Sequence, residues 1–469
     1  MLHPLLLFLC SAVTIFAAPL AGRKPNIIFL ITDDQGYGDL SCHGNPVLQT
    51  PHFDRLHREG VRFRDFQVSP TCAPTRAALL TGRHEFRNGI THTIHERERL
   101  TKDAVTLADL LKSAGYITGI FGKWHLGDEP DRRPDKRGFD ETFIHGAGGI
   151  GQSYPGSCGD SPKNSYFSPA ILHNGKFVKA TGYCTDVFFE QATKWIGEVK
   201  GKQPFYAHIA TNAPHTPLHV RPEDEARYAV KVPEQTAKFF GMIANIDDNL
   251  GRLLAKLTEW NLERETLVIF INDNGGTAGV NRFNAGMRGS KGTPWQGGVR
   301  VSSFWRWPGT LTPRDCDALA AHIDFMPTLA EIAGANLSGK AKAQVEGRSL
   351  VPLLENPAAL WPNRTLATHV GRWQRGKAAE AKHDNCAIRN SRWKIVFIRP
   401  AKAWQLYDLR TDPGEQNDVA AANPDTVREL ESAYDTWWTS VQPQLVNEDA
   451  PVPAENSFHT LYRQQFGEK

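Results

Sequence analysis

At 469 residues the chain exceeds the size at which a single hydrophobic core usually stops growing, so two domains are expected. Apolar residues at 40%, charged residues at 22% and a mean hydropathy of -0.42 match an ordinary globular protein and exclude a disordered or fibrous chain. The 54 basic residues nearly balance the 51 acidic ones and form no long run, which leaves no electrostatic footprint for nucleic acid.

The chain opens with an apolar run from Leu5 to Ala18, relieved by Ser11 and Thr14 and followed by Ala21. It is short for a membrane span, which needs about twenty residues, and reads as a secretory signal over 1–21. The mature protein is expected to be exported, periplasmic or secreted, without stable membrane insertion. Six cysteines would remain: Cys42, Cys72, Cys158, Cys184, Cys316 and Cys386. They are too sparse for a disulfide scaffold and contain no CxxC pair, although Cys158 and Cys184 flank one loop-rich region and could be bridged.

Residues 26–32 form a short apolar run that reads as a buried strand, with Asp33-Asp34-Gln35-Gly36 at its carboxyl end. Thr50-Pro51 starts a helix that Gly60 stops, and 61–68 is extended. A helix begins near Pro74. Thr106 with Asp109 resembles a capping box, and Gly115 ends that helix before a strand over 116–121. Residues 127–182, rich in Gly, Pro, Asp and Tyr, read as long surface loops with short hairpins. A helix over 185–198, a strand over 205–210, a helix over 235–259 and a strand over 266–271 follow, the last ending in Asp273-Asn274. This alternation predicts an α/β sheet with crossovers, whose ligands gather outside the carboxyl ends of the strands. Short wetter strands over 364–370, 386–398 and 405–409 and a helix over 425–438 predict a smaller α+β domain. The expected division is 22–345 and 346–469, with a polar tail after Trp438 running back along the surface.

Adjacent carboxylates at a strand end repel one another and need a cation or strong hydrogen-bond donors. Asp33, Asp34, Asp273 and Asn274 together make an all-oxygen set suited to calcium or magnesium. Cys72-Ala-Pro-Thr-Arg76 places a thiol near a helix N-terminus, where an anion is favoured, with Arg76 one turn along.

Cys72-x-Pro74-x-Arg76 followed by Ala-Ala-Leu-Leu-Thr-Gly-Arg83 resembles the signature of the type I sulfatases of the alkaline phosphatase superfamily. Segments 31–39, 122–127, 213–217, 271–275 and 291–298 are similar, in order and rough spacing, to the family's other active-site blocks, and 406–415 to its C-terminal subdomain. The overall pattern is nearest to arylsulfatase A and the N-acetylgalactosamine-6-sulfatases. The resemblance implies an alkaline-phosphatase-like α/β fold, a central mixed sheet flanked by helices, with an antiparallel sheet in the smaller C-terminal α+β subdomain.

It also implies a sulfuric ester hydrolase whose nucleophile is formylglycine, made from Cys72 by a formylglycine-generating maturation enzyme. Calcium would be held by Asp33, Asp34, Asp273, Asn274 and residue 72, with magnesium the competing ion. Arg76, Lys123 and Lys291 would neutralise the sulfuryl oxygens. A hydroxyl of the hydrated aldehyde would attack sulfur, and His215 with Lys291 would assist departure of the alcohol. His125 would then deprotonate the second hydroxyl to expel sulfate from the covalent hemiester.

A sulfated glycan or small molecule is the expected substrate. His95, Glu96 and Arg97 after the catalytic helix, and His369, Arg372 and Trp373 in the smaller domain, are candidate sugar contacts, Trp373 by stacking on a pyranose. Two other readings stay open: a phosphodiester or phosphonate monoester hydrolase of the same superfamily, and a non-catalytic secreted carbohydrate-binding protein.

Overall fold

The computed structural model describes residues 19–155 and 157–467. Most of the expected leader, residues 1–18, lies outside the described residues. Leu20, near its end, is buried in the main core, and its amide donates to Glu355 Oε1 at 2.6 Å.

Among the described residues, ten strands form the main sheet. At its centre Thr266–Asn272, Asn26–Thr32, Phe205–Ala210, Ile117–Lys123 and Glu141–His145 lie side by side and parallel. Ser303–Arg306 adds an antiparallel strand beyond Thr266–Asn272, followed by Val61–Phe63 and Arg314–Cys316. At the other edge the hairpin Ala170–His173 and Lys176–Lys179 closes the sheet. The sheet is mixed, as the family resemblance implied.

The continuous apolar runs are explained by cover on both faces. Ile27, Phe29 and Ile31 point into one core with helices Cys72–Thr81, Leu107–Ser113 and Phe325–Ile332. Ile28 and Leu30 point into the other, with Pro51–Glu59, Cys184–Val199 and Glu234–Glu259. The Thr106–Asp109 capping box forms. Helix Pro51–Glu59 is capped from afar: the buried Asp247 carboxylate accepts from the amides of His52 and Phe53 at 3.0 and 2.7 Å.

In the C-terminal part, Leu366–His369, Cys386–Arg389, Trp393–Phe397 and Gln405–Asp408 form an antiparallel sheet. Helix Pro424–Val441 lays Leu430, Tyr434 and Trp438 into a core shared with this sheet.

Several local expectations are corrected. The helix expected near Pro74 begins two residues earlier, at Cys72, because Pro is tolerated in a first turn whose N–H groups have no intrahelical partner. The extended stretch 61–68 is two short strands, Val61–Phe63 and Phe66–Gln67, in different sheets. Much of 127–182 is interior rather than surface. Asp160 accepts from the amides of Gly146, Gly151 and Ser161, and Asp128 from those of Ala147 and Gly159, so irregular backbone is satisfied without water. The tail ends in helix Ser457–Phe466, whose Phe458 and Tyr462 enter the main core. All six cysteines described are free thiols, Cys158 and Cys184 included.

Gly122 has φ +115°, and a Cβ there would stand 1.9 Å from the carbonyl oxygen of Ala210. Gly122→Ala is expected to destabilise the protein by about 3 kcal/mol or more, read by chemical denaturation, because backbone on the neighbouring strand must move.

Candidate active site

Four adjacent parallel strands end at one level, with Thr32 paired to Asn272, Ile31 to Ala210, and Gly122 also to Ala210. The segments leaving these ends carry Asp33 and Asp34, Asp273 and Asn274, His215, and Lys123 with His125. Asp34 (φ +67°) and His125 (φ +57°) adopt the left-handed backbone that is uncommon for residues other than glycine. Both interrupt the alternation of an extended chain. Donor atoms of Asp33, Asp34 and His215 lie within 4.8 Å of one another, as do those of Asp33, Cys72 and Asp273.

Cys72 enters this cluster from the helix Cys72–Thr81, every residue of which is buried. Its N-cap, Thr71, makes no side-chain cap, so the helix presents free N–H groups and the positive end of its dipole beside the thiol. Burial pushes the Cys72 thiol up, but the ammonium groups of Lys123 and Lys291 outweigh it and hold the thiol below its ordinary value.

Lys291 arrives on a glycine-rich loop. A Cβ on Gly275 would sit 1.9 Å from the carbonyl oxygen of Gly297, so only glycine permits the two segments to pack this closely. The Lys291 amide donates to the carbonyl of Gly276 at 3.1 Å.

The charges of the cluster pair one to one, all buried except the part-buried Lys291. Arg76 Nη2 donates to Asp273 Oδ2 at 2.8 Å, Lys123 Nζ pairs with Asp33 Oδ2, and Lys291 Nζ lies 2.6 Å from Asp34 Oδ1. Asn274 Nδ2 donates to Asp34 Oδ1 at 3.0 Å, and His215 Nε2 is 3.8 Å from Asp34 Oδ2. Burial opposes the charge on Asp34, yet Lys291, His215 and these hydrogen bonds hold its carboxyl well below the usual carboxylate range. For Asp33 and Asp273 burial prevails. The Asp33 carboxyl is pushed up to about 6 despite Lys123, and that of Asp273 to about 7, with the Asp33 charge adding to the effect.

Asp33 Oδ1 and Asn274 Oδ1 are buried and have no hydrogen-bond partner. Two open oxygen acceptors beside carboxylates whose ionised forms are penalised suit a hard divalent cation. The donor set fits calcium or magnesium.

Both histidines are held to one tautomer by backbone carbonyls: His125 Nε2 to Thr93 at 2.8 Å, and His215 Nδ1 to Thr216 at 2.7 Å. Burial, and then the neighbouring Lys123, lowers His125 well below its ordinary value of 6.5. Burial lowers His215 less, because Asp34 opposes it.

Cys72, His125, His215 and Lys291 line one cavity of about 200 Å³, together with His92, Thr93, Ile94, Gly148, Gln152, Tyr154 and Arg372. Of the six candidate sugar contacts, Arg372 alone lines it. Gly371 (φ +68°) and Arg372 (φ +64°) make a tight turn against Thr91, whose carbonyl accepts from the Arg372 amide at 2.9 Å. That turn separates neighbours in sequence: Arg372 reaches Thr93 Oγ1 at 3.0 Å, while Trp373 is buried.

Trp373 cannot offer a pyranose platform. It packs on Phe86, His369 and Trp438 and donates to Glu448 Oε2 at 2.7 Å. His369 is buried between Trp438 and the Ala381 carbonyl. Arg97 is buried too, bonded to the Trp373 carbonyl and to Glu448, and Glu96 is buried against Arg99. His95 is exposed beside His92, with ring centroids 5.1 Å apart, and is not itself part of the cavity wall. His92, Gln152 and Tyr154 escaped the sequence reading because they sit in loops without periodicity, whose convergence is tertiary.

The comparisons agree with this geometry. The sulfatase family model matches residues 25–335, and the model of the C-terminal region of N-sulphoglucosamine sulphohydrolase matches 292–434. Human arylsulfatase A is 30% identical, covering 90% of this chain and 89% of its own. The N-acetylgalactosamine-6-O-sulfatase of Bacteroides thetaiotaomicron is also 30% identical, over 87% of this chain and 92% of its own. The crystal structure of Ps i-CgsB in complex with k-i-k-neocarrahexaose superposes with a TM-score of 0.80 at 28% identity, covering 94% and 97% of the two chains. The chain therefore belongs to the type I sulfatase family of the alkaline-phosphatase-like superfamily. It is an enzyme of the sulfatase class.

Removing each aromatic or cationic side chain near the rim separates packing from access. Trp373→Ala is expected to cost about 3–5 kcal/mol of stability, whereas Arg372→Ala should stay within about 0.5 kcal/mol of the parent in the same denaturation measurement.

Proposed function

We propose that the protein is an exported hydrolase that releases inorganic sulfate from a sulfated carbohydrate, after a maturation enzyme has converted Cys72 to formylglycine. One observation carries the reading: Cys72, Lys291, His125 and His215 meet on one small cavity beside the Asp33–Asp34–Asp273 cluster. About 200 Å³ suits a sulfate group and the atoms next to it, with the rest of the substrate outside. The polar wall of His92, Gln152, Tyr154 and Arg372 suits a sugar, and two of the relatives named above carry carbohydrate in their names or bound ligand.

Asp33, Asp34, Asp273 and Asn274 would hold calcium, which supplies Lewis-acid polarisation of a sulfuryl oxygen. Arg76, Lys123 and Lys291 add fixed positive charge where the transition state gathers negative charge, in a site with little water. The hydrated aldehyde of residue 72 provides the hydroxyl that attacks sulfur, giving its proton to the neighbouring Asp273 carboxylate, as the S–O bond to the alcohol breaks. His215, backed by Lys291, gives its proton to the departing alcohol. His125 takes the proton of the second hydroxyl, so sulfate leaves and the aldehyde returns. One water, consumed in hydrating that aldehyde, balances the reaction.

Mass spectrometry of the peptide containing residue 72, from protein made with a competent maturation enzyme, should show a loss of about 18 Da relative to cysteine. Unmodified cysteine, alongside a converted control, would overturn the reading. Faster turnover of a phosphodiester than of a matched sulfate ester would move the assignment to the phosphodiesterase branch.

The histidines set the pH dependence. His215 must be protonated to serve as acid and sits below 6.5, while His125 must be neutral and sits lower still. Activity on a sulfate ester of a sugar alcohol should therefore peak on the acid side of 6.5 and fall as pH rises through the His215 value. In His215→Ala that alkaline limb should vanish from kcat/KM, with the rate lowered about 10²–10⁴-fold.

A further inference from the structure

We propose a second metal site in this protein, a zinc site formed by Cys42, His43 and His57 between the turn Ser41–His43 and the last turn of helix Pro51–Glu59. The thiol sulfur and one ring nitrogen from each histidine lie within 4.8 Å of one another. None of the three lines the catalytic cavity, and the reaction above uses none of them. Among the described residues, the two other groupings of this kind both belong to the active site.

The donor chemistry selects the ion. One thiolate and two imidazoles are the ligands of a borderline-soft metal, and a site without carboxylate or carbonyl oxygens does not serve calcium or magnesium. Three protein ligands leave a fourth tetrahedral position for water. Zinc bonds of about 2.0–2.3 Å require the three atoms to close by at most about 1.5 Å, a side-chain adjustment open to three half-buried residues.

The surroundings orient the ligands. His43 donates from Nδ1 to the Tyr37 carbonyl at 2.8 Å, which leaves the Nε2 lone pair for a metal. Its ring is stacked on Tyr37 at 3.8 Å, and Phe304 packs edge-on against both His43 and His57. The turn that carries Cys42 and His43 is closed by Gly44 (φ +93°), whose amide donates to the Ser41 carbonyl at 3.0 Å. The Asp54 carboxylate, accepting from the Cys42 amide at 3.0 Å and from Ser41 Oγ at 2.8 Å, puts negative charge beside the sulfur. Asp315 lies on the His57 side, and these two acids offset Arg62 and Arg300.

Burial disfavours the charged form of both imidazoles, pushing His43 down to about 4 and lowering His57. The Cys42 thiol is the reverse: burial and then Asp54 push it up, and binding must release its proton to solvent.

The test uses full-length protein with Cys72→Ser, to silence the other thiol of a metal grouping, in excess calcium. Cobalt(II) is the probe and zinc the competitor. The expected result is one cobalt per chain with an intense thiolate-to-cobalt charge-transfer band that zinc abolishes. Cys42→Ser should lose the band, and His43→Ala and His57→Ala should each bind at least about ten-fold more weakly. Circular dichroism of the metal-free variants guards against unfolding, and should Cys42→Ser fail to fold, the two histidine variants decide. No charge-transfer band in the parent, a band that survives in folded Cys42→Ser, or unchanged affinity in both histidine variants would overturn the site.

Discussion

Three carboxylates and two cations are buried together at the carboxyl end of the sheet, with a third, part-buried cation beside them: Asp33 with Lys123, Asp34 with the part-buried Lys291, and Asp273 with Arg76. Taking so many charges out of water is expensive, and removing one partner from a buried pair typically costs about 3–5 kcal/mol. The arrangement is tolerable only because every charge meets an opposite one at hydrogen-bonding distance. That requirement governs the surrounding architecture. The parallel strands end level, Gly122 and Gly275 allow backbones to touch, and the helix Cys72–Thr81 is buried along its whole length.

The same electrostatics make the site receptive. Three pairs cancel, so a divalent cation would create a positive surplus that a sulfate ester monoanion only partly offsets. Asp33 and Asp273, whose charges burial penalises, are the groups that gain most from such a cation. His125 and His215 stay apart in their proton affinities because one faces Lys123 and the other Asp34. Two histidines on one cavity are thus distinguished by their neighbours, as the two tasks proposed for them require.

The C-terminal part contributes to the site mainly as a rigid wall. Trp373, His369 and Trp438 form an aromatic core, and Glu448 ties Arg97 and Trp373 together from the chain's last segment. This anchoring fixes the turn at Gly371, and that turn presents Arg372 to the cavity.

Much of this was legible before any coordinates. The apolar runs at 26–32 and 266–272 declare buried strands because only a sheet covered on both faces accommodates them, and the acids that follow must stand at strand ends. The Cys72 motif and the ordered blocks on either side of it identify the family, since shared chemistry demands particular residue types at particular places along the chain. Which polar residues wall the cavity was decided by tertiary structure alone. Arg372 and Trp373 are adjacent and look equally suited to a sugar, but a left-handed turn sends one to the cavity and the other to the core. The irregular parts of 127–182 have no period to read, since their burial depends on Asp128 and Asp160 satisfying backbone amides outside the strands. Periodicity reports which face of an element is covered; it carries nothing about where an irregular chain turns back, and there only the folded contacts decide.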